Sequence, residues 1–236
     1  MLAMTGIAFA GLQVWVILLI VGRGLLFRTK IYRPMLWNHF LSLLPLIFQA
    51  VFAVGLLLLA GLINTYEWGD DAVLIFRILM VLCLVIWALI FPNATYLITE
   101  LNFSHRTEND RVPLYYDIVM VFSLAVTGFI NALASLSGFQ ALLLIATTDS
   151  SEIPWFIWLI VMLYILASSF ALYLGREVRV NSWDVVHPLA FAKKLYKNLD
   201  SWAEWRMAIG YTVTFAGLLA IAHLLVFSLL YSAFAI

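Results

Sequence analysis

The chain has 236 residues, of which 65% are hydrophobic and only 11% charged, with a formal net charge of zero and a mean hydropathy of +1.03. Soluble domains carry about 25% charged residues, so this composition excludes a soluble globular protein and specifies an integral membrane one. A single cysteine, Cys83, lies in an apolar run, which excludes a disulfide framework and a cysteine-based metal site.

In chain order, six apolar segments are long enough to cross a hydrocarbon layer, which takes about 20 residues. They lie at roughly 3 to 22, 40 to 63, 72 to 91, 115 to 137, 154 to 174 and 207 to 232. The first segment has no charged residue before Arg23 and no basic leading region, so it reads as an uncleaved span rather than a signal peptide. The fourth uncharged run extends from Ile118 to Thr148, and "SLSG" at 135 to 138 is a plausible kink or exit point within it. No internal repeat, linker or soluble insertion interrupts the chain. The expected architecture is all-α: one six-span membrane domain covering residues 1–236, with an additional amphipathic interfacial helix.

Basic residues predict the orientation. Arg23, Arg28, Lys30 and Arg33 follow the first span, Arg106 and Arg111 the third, and Arg176, Arg179, Lys193, Lys194, Lys197 and Arg206 the fifth. These are twelve of the thirteen lysines and arginines, whereas the intervening loops "NTYEWGDD" and "TTDSSEIP" contain only acids. Positive charge accumulates in cytoplasmic loops, so both termini are expected outside and the three basic loops inside. The exception, Arg77, is expected to snorkel towards Asp70 and Asp71. Between Pro188 and Arg206, Ala192, Leu195, Tyr196, Leu199, Trp202 and Ala203 recur at helical spacing opposite Lys193, Lys194, Lys197 and Glu204. This pattern predicts a helix lying on an anionic leaflet. Within it, Ser201 and Glu204 have capping-box spacing, making Glu204 a helix-start signal rather than a catalytic acid.

Three polar stretches at the expected inner surface hold most of the chemistry. In "PNATYLITELNFSH" (92–105), Pro92 interrupts the third span, and Asn93, Tyr96 and Glu100 follow at spacings that align them on one face of a short helix. In "PLYYDIV" (113–119), Asp117 occupies the start of the fourth span, where the helix dipole favours an acid whatever else it does. In "GREVRVNSWDVVHP" (175–188), Arg176 and Arg179 precede Asn181, Trp183, Asp184 and His187. Arginine forks suit a carboxylate or phosphate, and carboxylates or imidazoles move protons. Together they suit an enzyme or binding protein for an anionic lipid or isoprenoid-phosphate headgroup. Arg176, Arg179, Asn93, Tyr96, Asn181 and Trp183 would bind it, and Asp117, Glu100, Asp184 and His187 would act as acid or base. Glu100, Asp117, Asp184 and His187 match no established metal-ligand spacing, so no metal is expected, and no pattern identifies a cofactor. The expected partner is membrane lipid, not nucleic acid.

Two other readings compete. On the fourth span, Asp117, Gly128, Asn131 and Ser135 share one stripe, and Gln13, Gln49 and His223 lie inside other spans. Buried polar groups of this kind mark transporter relays, although small and amide residues also serve helix packing. Alternatively, the arginines and acids pair with each other in a non-catalytic assembly partner.

The motifs P-N-x-x-Y-x-x-T-E-L at Pro92 to Leu101 and G-R-x-x-R-x-N-S-W-D at Gly175 to Asp184, with "PLYYD" between them, resemble those of a bacterial multi-pass membrane family catalogued as domain of unknown function 1361. Glu100 stands where either acid is expected, and Glu177 where an aromatic or apolar residue is expected. The resemblance implies a multi-span fold in a bacterial cytoplasmic membrane and transfers no activity.

Overall fold

The structure is a computed structural model that describes residues 2–66, 69–101, 111–147, 153–180 and 187–234. Among these residues the only regular structure is helical: α1 (Leu2–Phe27), α2 (Arg33–Thr65), α3 (Asp70–Ile90), the short α4 (Pro92–Tyr96) with a 3-10 turn (Leu97–Leu101), α5 (Leu114–Thr147), α6 (Trp155–Arg176), α7 (Pro188–Asn198) and α8 (Trp202–Phe234). Six helical stretches, beginning at Ala3, Arg33, Asp71, Leu114, Trp155 and Trp202, are long and apolar enough to cross a membrane. The protein is a multi-pass membrane protein. Its chain divides into two compact units, Met1–Ser135 and Leu136–Ile236.

Unit 1 is organised around a stripe on α2. Met35, Ser42, Gln49, Leu56 and Ile63 recur every seventh residue and are all buried, because seven residues bring a helix back to within about 20° of its starting face. Around this stripe α2 packs against α3, α4 and α1. A core of Val16, Leu19 and Ile20 from α1, Met35, Leu97, and Met120, Val121 and Leu124 from α5 fills the space beside it. Proline punctuates α2 twice: Pro34 opens the helix, where its missing N–H costs nothing, and Pro45 lies inside it.

Pro92 ends α3 as the sequence suggests, but the segment after it does not form one helical face. Thr95 and Thr99 hydroxyls donate to the carbonyls of Pro92 and Tyr96, each three residues back. These local bonds accompany the tightening of the chain from α-helix into a 3-10 turn. Asn93 and Tyr96 therefore lie in α4 and Glu100 in a helix of different pitch. The fourth apolar run is one helix through "SLSG", so residues 138 to 147 continue α5.

In unit 2, α6 and α8 are the principal packed pair. Ile157, Val161, Ile165 and Leu172 on α6 and Ala216, Leu219 and Phe227 on α8 are buried at helical spacing. Tyr173, Leu174, Val178, Leu199 and Ala208 form a second cluster at the end of α6, with Phe191 and Leu195 of α7 packed on it. The surface helix is shorter than its apolar periodicity suggests. It stops at Asn198, and Trp202 to Arg206 already belong to α8. The capping box causes the division: Ser201 Oγ accepts the Glu204 backbone N–H at 3.2 Å, while Glu204 Oε2 accepts those of Asp200 and Ser201 at 3.0 and 3.3 Å. These bonds satisfy donors at a fresh helix start.

Both α1 and α6 run into arginine in the left-handed region, Arg28 at φ 54° and Arg179 at φ 56°. This conformation costs an L-residue roughly 1–2 kcal/mol. Backbone bonds close each turn, from Thr29 N–H to the Gly24 carbonyl (3.1 Å) and from Val180 N–H to the Leu174 carbonyl (2.9 Å). Arg77 is exposed on α3 and makes no ion pair among the described residues.

Candidate functional site

A polar group in an apolar interior is costly unless it finds a partner. In unit 1 such groups are arranged as rungs along α5. The lowest is an ion pair: Arg23 Nε of α1 donates to Asp117 Oδ1 at 2.8 Å, with the two side chains 6% and 0% exposed. Arg23 also reaches Thr29 Oγ1 at 3.3 Å, and the Thr29 hydroxyl donates to the Arg23 carbonyl. The adjacent Tyr116 hydroxyl donates to the Leu19 carbonyl at 2.9 Å, adding a second tie from α5 to α1. The guanidinium is thus folded back over the end of its own helix, with its counter-charge supplied by α5.

Asn131 is four turns further along α5, about 21 Å at 1.5 Å per residue. Its carbonyl oxygen accepts from Gln13 Nε2 of α1 and its amide donates to Ser42 Oγ of α2, both at 2.9 Å. One asparagine joins three helices, using donor and acceptor together. The Ser42 hydroxyl in turn donates to the His39 carbonyl at 2.7 Å. Four residues beyond Asn131, Ser135 Oγ accepts from Trp87 Nε1 of α3 at 2.9 Å. The stripe of Asp117, Gly128, Asn131 and Ser135 is wholly buried, and its three polar members each make side-chain bonds to another helix of unit 1.

Not every group on this level is matched. His39 is 2% exposed, and among the described residues neither ring nitrogen has a hydrogen-bond partner; Gln13 Oε1 and Gln49 Nε2 are also unmatched there. The sequence pattern marked Gln13 and Gln49 but missed His39 and Arg23. For His39 the signal was its position three residues before Ser42, on the polar side of the α2 stripe. Arg23 was hidden among ordinary loop cations.

The remaining residues singled out in the sequence are distributed as follows. Glu100 is buried and accepts from Asn38 Nδ2 of α2 at 3.1 Å. Asn93 Nδ2 donates to the Ile90 carbonyl at 2.9 Å, closing the end of α3 across the proline break. Tyr96 is half-buried on α4. In unit 2, Arg176 is half-buried in the last turn of α6, and Arg179 is exposed. The Arg179 carbonyl accepts from Lys194 Nζ of α7 at 2.8 Å. His187 is exposed at the start of α7, where its carbonyl accepts the Phe191 N–H. Asn181, Trp183 and Asp184 lie outside the described residues. Among the described residues, no group of three or more histidine, cysteine or acidic side chains is placed to hold a metal ion.

Unit 2 has its own interior pair, in which Gln140 Oε1 of α5 and His223 Nε2 of α8 lie 2.6 Å apart. The His223 ring packs with Trp158 and Phe227. Gln140 has no apolar-pattern signature, because α5 is buried on several faces at that depth.

The family model described as "Protein of unknown function (DUF1361)" matches residues 37–220. The chain belongs to this family. No curated protein and no solved structure matches it. The DUF1361 match includes Asn38, His39, Glu100, Asp117, Asn131, Gln140, Arg176, Arg179 and Glu204, while Gln13, Arg23 and His223 lie beyond it. Several of the interior pairs thus join a residue of the matched region to one outside it.

Proposed function

We propose that the protein binds an anionic lipid or isoprenoid-phosphate headgroup at the cytoplasmic leaflet of a bacterial cytoplasmic membrane, with its termini on the outer side and its basic loops inside. The observation that carries this reading is the Lys194 to Arg179 bond. It ties α7, which carries the exposed Lys193 and Lys197, to the left-handed turn after α6 at Arg179. On the same helix Leu189 and Tyr196 are 88% and 81% exposed, as expected for side chains that dip into acyl chains while cations meet headgroups. Arg176 and Arg179 hold the anion, and Asn181 and Trp183 of the neighbouring N-S-W-D motif position it. Asp117 and Glu100 are engaged with Arg23 and Asn38, so any proton transfer is assigned in this reading to Asp184 and His187.

Native mass spectrometry with phosphatidylglycerol tests the reading. Replacing Arg176 and Arg179 with alanine should lower lipid retention about tenfold, as loss of a charged hydrogen bond worth roughly 1.5–3 kcal/mol requires. Unchanged retention would sink it. Arg179→Gly sharpens the result: it should reduce retention while stabilising unit 2, since glycine adopts positive φ without strain.

His39 favours a second reading, passage of a proton or small polar solute along the rungs of unit 1. Replacing a buried, unmatched histidine by leucine should raise stability by about 1–3 kcal/mol and abolish proton flux in proteoliposomes. A destabilised variant with unchanged flux would count against this reading on both measures.

A further inference from the structure

At the end of α6 and the start of α8, within unit 2, a partly open cavity of about 310 Å³ is lined by Tyr173, Glu177, Asn198, Glu204 and Tyr211, among others. Its depth is that of a lipid headgroup, since Glu177 directly follows the apolar span ending at Arg176 and Glu204 lies in the first turn of the span beginning at Trp202. The two phenol rings meet edge to face with centroids 5.6 Å apart, and Phe215 stacks behind Tyr211 at 4.6 Å. Tyr173 is 5% exposed, and among the described residues its hydroxyl makes no hydrogen bond.

The carboxylates are out of keeping with their surroundings. The chain around them carries Arg176, Arg179, Lys193, Lys194, Lys197 and Arg206, yet neither Glu177 nor Glu204 forms an ion pair among the described residues. Glu204 uses only Oε2 for its cap bonds, leaving Oε1 for another partner. Asn198 donates its amide to the Lys194 carbonyl, leaving its own oxygen as an acceptor. The cavity thus combines two carboxylates without cations, an amide oxygen and two aromatic rings. This combination suits a cation: ring faces attract an ammonium through their quadrupole, and the carboxylates provide charge-assisted acceptors.

We infer that this cavity binds an ammonium group, either on a zwitterionic lipid headgroup or on a free organic amine. The site uses different side chains from the anion-binding surface of Arg176 and Arg179 and stands whether or not that surface binds lipid.

The test uses the full-length protein in native mass spectrometry with phosphatidylethanolamine, its N-acetylated derivative, which lacks the ammonium, and phosphatidylglycerol. Phosphatidylethanolamine should be retained about tenfold more strongly than the N-acetylated lipid, corresponding to one desolvated cation–π contact with its carboxylates. Glu177→Gln with Glu204→Gln should erase that preference and leave phosphatidylglycerol retention unchanged. Glutamine preserves the capping box, so α8 should still start normally. If the double variant fails to fold, Glu177→Gln alone serves, because that side chain makes no hydrogen bond or ion pair among the described residues. Tetramethylammonium added as a free competitor separates the sources. Displacement of the lipid assigns the site to any ammonium, and binding of tetramethylammonium without any lipid preference assigns it to a free amine. The inference is overturned if the wild-type protein shows neither lipid preference nor tetramethylammonium binding, or if the glutamine variants retain the preference. Unchanged phosphatidylglycerol retention in the arginine variants would sink the headgroup reading and leave this site intact, so the two readings fail separately.

Discussion

Asp117→Ala is expected to cost unit 1 about 3–5 kcal/mol, because it leaves the Arg23 guanidinium buried without its counter-charge. Arg23→Ala should do comparable harm by exposing the opposite imbalance. Replacing both at once, with Arg23→Met and Asp117→Leu, should recover most of the loss, since a well-packed apolar pair removes two desolvation costs together. Tryptophan fluorescence during denaturant titration in micelles would measure all three variants. Additive losses, with the double variant less stable than either single variant, would show that the pair is not coupled. The consequence for function is positional: the pair joins the start of α5 to the end of α1, and so sets the depth at which Asn131 meets Gln13 and Ser42.

Gly128→Ala is expected to destabilise unit 1 by about 1–3 kcal/mol, the usual cost of overpacking. A methyl group built on Gly128 collides with Leu97 Cβ, next to its Cδ2 at 3.2 Å. The Cβ atom is fixed to the backbone and cannot rotate away, so the 3-10 turn would have to move from α5. Glu100 lies three residues beyond Leu97 in that turn, and its bond to Asn38 should loosen as well. Gly217→Ala on α8 is the matched control. No atom lies within 4 Å of the added methyl there, and alanine gains up to about 1 kcal/mol over glycine in a helix. The two substitutions should therefore shift the thermal midpoint in opposite directions, and a shift in the same direction would contradict the close approach at Gly128.

How much of this is legible in the sequence depends on the range of the interaction. The capping box at Ser201 and Glu204 was readable because its partners are three residues apart. Its effect on the surface helix was not, since apolar periodicity runs unbroken across the junction between α7 and α8. The alignment of Asn93, Tyr96 and Glu100 assumed one helical pitch, and the threonine hydroxyl bonds accompany a change of pitch halfway. The stripe on α5 was visible as a pattern, but its bonds were not: Asn131 finds Gln13 across 118 residues and Ser42 across 89.

By itself, the sequence determined the class of the protein, its helical membrane spans and its family, because span length, hydropathy and short motifs are properties of contiguous residues. Only the tertiary structure decided that Arg23 is a structural counter-ion to Asp117, that His39 is buried without a match, and that Glu177 and Glu204 share a cavity with two tyrosines. Those pairings depend on the rotation and depth of each helix against its neighbours, and many combinations of rotation and depth satisfy the same apolar pattern.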